Sequence, residues 1–168
     1  MRYFTVSLAL LSVALLSSLT GCVTTSEAFA KDAAAMDLDK MPLSAEQTAY
    51  LSSIKDEALV FNTSAGNAKD FWERALYWVS TQSSMKIQVQ NEFTIQTYTP
   101  MANSMRYGCY VSRKPLGGGS YELSVQSIPS ETMFDQLRAV ALKRAHTNSQ
   151  ILAHYIKTGV MREELVAK

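Results

Sequence analysis

Apolar residues recur with the 3.6-residue period of an α-helix in three segments that follow the first 43 residues of the chain. The first predicted helix spans 45–55 and buries Leu51 and Ile54. It follows Ser44 and includes Gln47, and the spacing of these two residues matches a capping box. In a capping box each side chain accepts the backbone N–H of the other residue, so the pattern predicts where this helix begins.

The second predicted helix carries the clearest apolar stripe of the chain. Asn67 is expected to cap it, and Asp70 lies in its first turn, where a negative charge favours the positive end of the helix dipole. The stripe contains both tryptophans, and its members are expected to form much of the core: Phe71, Trp72, Ala75, Leu76, Trp78 and Val79.

The third predicted helix runs from Ser130, its expected cap, to Lys157. A helix of this length extends about 40 Å, which is roughly twice the length of an ordinary strand. Two polar residues, Arg144 and Asn148, interrupt its apolar face. We therefore expect a kink or break near residues 147–149, or a C-terminal half that overhangs the sheet.

Strands are predicted in five places. A short apolar run over 57–61 is ended by turn-forming residues. Beyond residue 86 apolar and polar residues alternate, which is typical of antiparallel strands with one face on the core and one in water. These alternating runs are 87–90, 93–98, 106–112 and 121–126. The glycine-rich stretch from Pro115 to Ser120 is predicted to be a hairpin turn, because a phosphate-binding loop needs a lysine and a helix after its glycines.

The N-terminal segment has the composition of an export signal. Arg2 is its only charged residue, and its apolar run over 4–16 is shorter than the roughly 20 residues that cross a bilayer. The segment closes with Leu19-Thr20-Gly21-Cys22, which resembles the lipobox of bacterial lipoproteins. The resemblance implies that Cys22 carries a diacylglycerol on its sulfur and is the first residue of the mature protein. The alternative is an ordinary cleaved signal in which Cys22 is incidental.

Val23 follows the predicted lipid attachment site. In proteobacterial lipoproteins an aspartate at this position tends to retain the protein at the inner membrane, so the resemblance favours the outer membrane, with the domain facing the periplasm. Residues 23–42 have few large apolar side chains and no sustained period, which is typical of a tether. The expected membrane partner is thus reached through the lipid.

These elements predict an α+β domain, in which an antiparallel sheet of four to five strands has one face covered by two main helices. The predicted units are a signal peptide (1–21), a lipidated N-terminus and tether (22–43), one domain (44–158) and a C-terminal tail (159–168). The order of elements from Glu57 to Tyr155 resembles that of TATA-binding-protein-like folds in some uncharacterised exported bacterial proteins. This resemblance concerns topology and implies no function.

Charge and cysteine content exclude several classes of function. Removal of residues 1–21 removes one of the 16 basic residues and leaves 15 basic against 15 acidic, so no broad field attracts nucleic acid. With Cys22 lipidated, Cys109 is left without a partner for an internal disulfide, and its strand-like flanks predict a buried structural thiol.

The sequence contains no pattern of catalytic or metal-binding residues. His146, Gln150 and His154 share one side of the last helix, but two imidazoles without a nearby carboxylate do not make a zinc site, and a solvated face is expected. Carboxylates are scattered rather than paired, and no serine lies in a nucleophile elbow. We therefore expect a protein that is not an enzyme and that needs neither a metal nor a cofactor.

Two functional hypotheses remain. The first is a non-catalytic binding or structural module of the envelope that uses the open face of the sheet to bind another envelope protein. Tyrosine and arginine are enriched in protein interfaces. The residues expected on this face are Gln88, Gln90, Gln96, Tyr98, Arg106, Tyr110 and Gln126. The alternative is a small-ligand carrier or an enzyme with a site between the last helix and the sheet, near Arg144 and Asn148, because polar residues on an apolar face usually have a specific partner.

Overall fold

A five-stranded antiparallel sheet forms one layer of the domain, and helices cover one of its faces. The computed structural model describes residues 37–102, 104–131 and 135–167. The strands follow the order β1-β5-β4-β3-β2 across the sheet, so β1 and β2 are its edges. Their bounds are β1 Val60–Asn62, β2 Ile87–Gln90, β3 Thr94–Thr97, β4 Gly108–Gly117 and β5 Ser120–Ile128. The predicted α+β class and the antiparallel sheet are confirmed.

Three α-helices are present within the described residues: α1 (Ala45–Ile54), α2 (Ala68–Gln82) and α3 (Asp135–Thr158). Two short 3-10 turns, Leu38–Lys40 and Glu163–Leu165, lie before α1 and after α3. The long α3 packs on β5 and also contacts both other helices. It is therefore the central helix of the covering layer.

The two predicted helix starts have different outcomes. At α1 the capping box is present, since the N–H of Ser44 donates to Oε1 of Gln47 at 2.9 Å and the N–H of Gln47 donates to Oγ of Ser44 at 3.2 Å. At α2 the predicted side-chain cap was wrong, because Oδ1 of Asn67 accepts the N–H of Ser64 at 2.8 Å. The Asn67 side chain therefore closes the preceding turn instead of capping the helix.

The glycine-rich stretch is the hairpin turn that the sequence predicts. Gly117 pairs with Ser120, and the two residues between them, Gly118 and Gly119, have φ values of 58° and 78°. A two-residue turn with positive φ at both positions matches the twist of the strands it joins, and glycine adopts it without strain. The turn lets β4 and β5 pair over their full lengths.

The expected break in the long helix was wrong, because α3 is continuous from Asp135 to Thr158. The hydroxyl of Thr147 donates to the carbonyl of Lys143 at 3.2 Å, and that of Ser149 donates to the carbonyl of Ala145 at 2.8 Å. Both bonds run to the carbonyl four residues earlier, a bond that serine and threonine can form within a helix. The predicted start at Ser130 falls next to residues 132–134, which lie outside the described residues.

The core extends past both predicted ends of the domain. Leu38, Leu165 and Val166 lie outside the predicted bounds of 44–158, yet they are buried and belong to the main hydrophobic cluster. The segment after α3 is thus a packed part of the domain and not a loose tail. It covers the side of α3 that the sheet does not reach, and the helix is buried on every side over residues 148–153.

Candidate functional site

The face of the sheet opposite the helices carries rows of residues in register across its strands. One row runs Val89, Gln96, Tyr110 and Gln126 over β2, β3, β4 and β5. Paired residues of antiparallel strands point to the same side, with Cβ atoms about 4.5–5.5 Å apart. The half-buried Tyr110 ring therefore stands between two glutamine side chains at the centre of this face.

The neighbouring rows are also polar and carry few charges. The second row runs Thr94, Ser112, Ser124 and Val60, and the third contains Lys114 and Glu122, which are directly opposite each other. We call the surface formed by these three rows the open face. Its composition of hydroxyl, amide and tyrosine side chains can form many hydrogen bonds while the cost of removing charges from water stays small.

A bulge in β2 changes which residues reach the open face. The register shifts between Ile87 and Val89, so that Val89 lies opposite Gln96 and Gln90 lies opposite Ile95. Simple alternation places Gln88 and Gln90 on the open face beside Gln96. The extra residue of the bulge takes Gln88 out of the row, and Gln90 pairs with the helix-side residue Ile95 but remains exposed at the sheet edge.

Tyr98 and Arg106, the remaining predicted residues, lie in the connection between β3 and β4. Both are exposed, Tyr98 to 52%, and the same connection contains Met101, which is 80% exposed. We call the described residues of this connection, 98–102 and 104–106, the end loop. The seven predicted residues therefore occupy three places: Gln96, Tyr110 and Gln126 in the central row, Tyr98 and Arg106 in the end loop, and Gln88 and Gln90 in the edge strand β2.

Thr97 and Gly108 position the end loop against the sheet. At the end of β3, Oγ1 of Thr97 accepts the N–H of Cys109 in β4 at 2.8 Å. This side-chain oxygen takes the place of the backbone carbonyl that would accept the N–H in a regular sheet. A Cβ atom on Gly108 would lie 3.0 Å from both Oγ1 of Thr97 and the carbonyl oxygen of Tyr98. Glycine at 108 is thus what allows the loop to turn close to β4.

Cys109 lies on the helix side of β4 and is 1% exposed. Burial raises the pKa of its thiol to about 12, so the thiol is protonated at neutral pH. A thiol in this state is a poor nucleophile. The geometry agrees with the structural role that the sequence predicts.

Asn148 and Arg144, the polar residues expected to mark a ligand site, bind the C-terminal segment of the chain. Nδ2 of Asn148 donates to the carbonyl of Ala167 at 3.0 Å, and the N–H of Ala167 donates to Oδ1 of Asn148 at 3.1 Å. Nη2 of Arg144 donates to the carbonyl of Leu165 at 2.7 Å. The two side chains therefore dock residues 165–167 onto α3.

The Arg144 guanidinium is not fully satisfied by this contact. It is buried, and burial lowers its pKa. Among the described residues neither its Nη1 nor the buried hydroxyl of Tyr107 has a hydrogen-bond partner. A small void next to Arg144, lined also by Asp37 and Leu38, has a volume of about 10 Å³, which is about the room that one water needs.

The two residues that follow Asn148 bind different neighbours. Oγ of Ser149 accepts the N–H of Ser127 at 2.8 Å, on the edge of β5 that β1 does not cover. The side-chain amide of Gln150 donates to the carbonyl of Lys55 at the end of α1. Consecutive polar residues of α3 thus dock the tail, the sheet and α1, as expected for a helix that is buried on all sides.

A charged cluster that the sequence did not indicate joins the end of α3 to the segment before β1. Glu57 accepts from Nζ of Lys157 at 2.5 Å, and its other oxygen lies 3.0 Å from Nδ1 of His154. Burial raises the pKa of the Glu57 carboxyl, but its hydrogen bonds to Lys157 and His154 more than offset this, and the pKa is lowered overall. The partners are about 100 residues apart in sequence, so no local spacing signals the cluster.

The predicted solvated histidine face is only partly correct. His146 is exposed, but Gln150 is buried, and the half-buried His154 packs edge-on against Tyr50 of α1. The carboxylate of Glu57 lies 3.0 Å from the His154 ring. Within the part of the chain that the structure describes, no three His, Cys, Asp or Glu side chains come together as a metal site.

Comparison of the chain with protein-family models, with curated proteins and with solved structures gives no match. The class of protein is therefore defined by the fold and the open face alone. It is an α+β domain with one polar sheet surface that its helices leave uncovered. Among the described helices none combines the length and the apolar character that crossing a bilayer requires.

Proposed function

We propose that this protein is a lipoprotein of the bacterial envelope, anchored to the outer membrane through Cys22, whose domain is a non-catalytic binding module. In this proposal the open face binds another envelope protein, while the lipid holds the domain on the periplasmic side of the membrane. The observation that carries the binding role is the central row, in which Tyr110 is flanked in register by Gln96 and Gln126.

The lipobox-like residues 19–22 support the anchor, and they lie outside the described residues. Two or three acyl chains hold a protein stably on a bilayer, since each buried methylene contributes about 0.8 kcal/mol. The position of Val23 after the cysteine supports the outer membrane rather than the inner one. Replacement of Cys22 by Ala is expected to leave an unprocessed precursor that takes up no labelled fatty acid, whereas normal processing would contradict the anchor.

The contrast between the two faces of the sheet supports binding through the open face. The helix side of the same strands carries Ile95, Val111 and Val125, which are 2% exposed or less. The open side carries a half-buried tyrosine among amides and hydroxyls. Tyrosine is a frequent anchor in interfaces because it combines a large apolar ring with a hydroxyl that can form a hydrogen bond.

The state of the ionisable groups supports a role without catalysis. Cys109 is buried and protonated, and the buried polar groups Asn148 and Ser149 are bound to backbone atoms of the domain. His154 and Lys157 both pair with Glu57. Each of these groups therefore has an explanation within the fold.

Site-specific photocrosslinking in cells tests the proposed face. A photoreactive amino acid at Gln96 or Gln126 is expected to give a discrete adduct with one envelope protein. The matched control is Glu73, an exposed residue of α2 on the helix side. Adducts of equal yield from position 73, or none from positions 96 and 126 in a correctly lipidated protein, would contradict the proposal.

A groove favours a second candidate function, the carriage of a small ligand. It has a volume of about 370 Å³ and lies between α3 and the uncovered edge of β5, where Leu142, His146 and Ser149 contribute to its lining. This groove lies between the last helix and the sheet, but Arg144 and Asn148 do not line it. A thermal-shift screen with envelope metabolites is expected to find stabilisation that a substitution His146→Leu removes if this candidate is correct.

A further inference from the structure

We propose that the end loop contacts the lipid surface, so that the domain is held by its lipid anchor and by a second, weaker contact from Tyr98, Met101 and Arg106. This inference rests on the proposed lipidation of Cys22. It assigns the end loop to the membrane and leaves the open face to the protein partner.

The first observation is the composition of the loop. Met101 is 80% exposed and Tyr98 is 52% exposed, so two large side chains with apolar surface stand in water on one short connection. Arg106 on the same loop is exposed and brings a positive charge beside them. Tyrosine side chains are favoured at the headgroup level of a bilayer, and the apolar methionine side chain can enter the boundary of the acyl chains. The arginine side chain is attracted by anionic headgroups.

The second observation is where the chain enters the domain. Asp37, the first described residue, lines a small void together with Arg144 and Val140 of α3. Nζ of Lys143 lies 4.0 Å from a carboxylate oxygen of Asp37. The segment that leads from Cys22 therefore reaches the domain on the N-terminal half of α3.

The third observation connects that entry point to the end loop. Ala141 and Leu142 of α3 line a pocket with Ile128, and Ile128 pairs with Gly108, which follows Arg106 by two residues. Oγ of Ser84, just after α2, accepts the N–H of Tyr107 at 3.0 Å, and the N–H of Tyr98 donates to the carbonyl of Lys86 at 3.0 Å. The entry point and both ends of the loop thus lie at the same end of the domain.

Exposed basic residues gather at this end as well. Lys86 and Arg138 are exposed, and Arg138 lines a pocket with Ile128, which pairs with Gly108 at the start of β4. The exposed acid Glu131 lines the same pocket. Exposed lysine and arginine close to a membrane are attracted by anionic headgroups.

The length of the preceding segment makes the contact feasible. Cys22 and Asp37 are 15 positions apart (37 − 22), which even a fully extended chain spans with no more than about 50 Å. A domain of about 130 residues is roughly 35 Å across. The end of the domain that receives this segment is therefore held within about one and a half domain diameters of the bilayer, and the apolar loop lies at that end.

Depth-dependent fluorescence quenching tests the inference on the full-length lipidated protein. A fluorophore is attached at Met101→Cys, which is selective because Cys109 is buried and the thiol of Cys22 carries the lipid in the proposal. The matched control is Leu116→Cys at the β4–β5 turn, which is 48% exposed and lies at the other end of β4. Both proteins are reconstituted into vesicles of phosphatidylethanolamine and phosphatidylglycerol with brominated acyl chains.

We expect bromine quenching at position 101 to exceed that at position 116 by about twofold or more, because an interfacial side chain reaches the acyl boundary. The further change Arg106→Glu is expected to reduce quenching at position 101. Equal quenching at both positions in protein that floats with the vesicles would overturn the inference and leave the anchor intact. Protein that does not float would instead contradict the proposed lipidation. Lack of quenching at 101, with a protein crosslink from that position in cells, would assign the loop to the partner.

Discussion

The two sides of the sheet use polar residues in opposite ways. On the covered side, two polar residues of α3 are buried and bound to backbone atoms: Asn148 to Ala167, and Ser149 to Ser127. On the open side, Gln96, Tyr110 and Gln126 form an ordered row that faces away from the helices. A polar residue on an otherwise apolar face therefore marks internal docking in this fold, and the better candidate for recognition is the surface without such internal bonds.

The largest effect on the free energy of unfolding is expected when a buried side chain of the core is shortened. Leu152→Ala on α3 is expected to destabilise the domain by about 2–5 kcal/mol, because the fully buried side chain leaves a cavity. Leu142→Ala is the matched control on the same helix, since Leu142 is 52% exposed, and it is expected to cost less than about 1 kcal/mol. Urea unfolding followed by circular dichroism measures both, and equal losses would contradict the central position of α3.

Asn148→Leu distinguishes internal docking from a ligand site. We expect a loss of about 1–3 kcal/mol, since the N–H and carbonyl of Ala167 lose their side-chain partner. Trypsin is also expected to cut faster after Arg162, because the tail detaches more often. Thr147→Ala is the control, since the Thr147 hydroxyl bonds only within α3. A gain in stability on Asn148→Leu would indicate that this asparagine serves a ligand instead.

Glu57→Gln removes the charge at the centre of the cluster with His154 and Lys157. We expect a loss of about 1–2 kcal/mol at neutral pH, because hydrogen bonds between charged groups are the strong ones. The pKa of Glu57 is lowered in the folded state, so its contribution is present above the unfolded value of about 4.3 and is lost as pH falls through the folded value.

The wild type and Glu57→Gln are therefore expected to differ in unfolding free energy at pH 6–7 and to converge on acidification. Urea unfolding at a series of pH values measures the difference. The control Glu73→Gln breaks an exposed ion pair with Lys69 and is expected to change the unfolding free energy by less than about 0.5 kcal/mol. A constant difference down to the lowest pH would contradict an ionic role for Glu57.

The smallest effect on stability is expected on the open face. Tyr110→Ala is expected to cost about 1 kcal/mol or less, since only cross-strand contacts on one side are lost. Its effect on partner binding is expected to be large, because a central tyrosine is a frequent interface anchor. Thermal unfolding of the purified variant checks the first expectation, and a loss near that of Leu152→Ala would contradict it.

Local signals in the sequence account for much of the fold. The capping box at Ser44, the paired positive-φ glycines 118 and 119, and the alternation along β4 and β5 each depend on residues that are close in sequence. The continuity of α3 did not follow from local pattern. In the sequence its polar residues look like the end of a helix. They are compatible with a buried helix because Ala167, Ser127 and Lys55 supply hydrogen-bond partners from distant segments.

The candidate site was predictable only in part. Strand alternation identifies Tyr110 and Gln96, but the β2 bulge adds one residue and changes the side on which the later residue Gln90 lies. The cluster around Glu57 depends on partners about 100 positions away. The burial of Leu165 and Val166 depends on the side of α3 that the sheet does not reach, and this side becomes evident only once the helices are packed on the sheet.

The most direct test of the central claim is in-cell crosslinking and affinity isolation of the lipidated protein, analysed by mass spectrometry. The wild type is compared with Tyr110→Ala and with Tyr77→Ala, which alters a 49% exposed tyrosine on the helix side. The proposal predicts one enriched envelope protein, retained with Tyr77→Ala and lost with a folded Tyr110→Ala. Equal capture by all three proteins would contradict recognition through the open face.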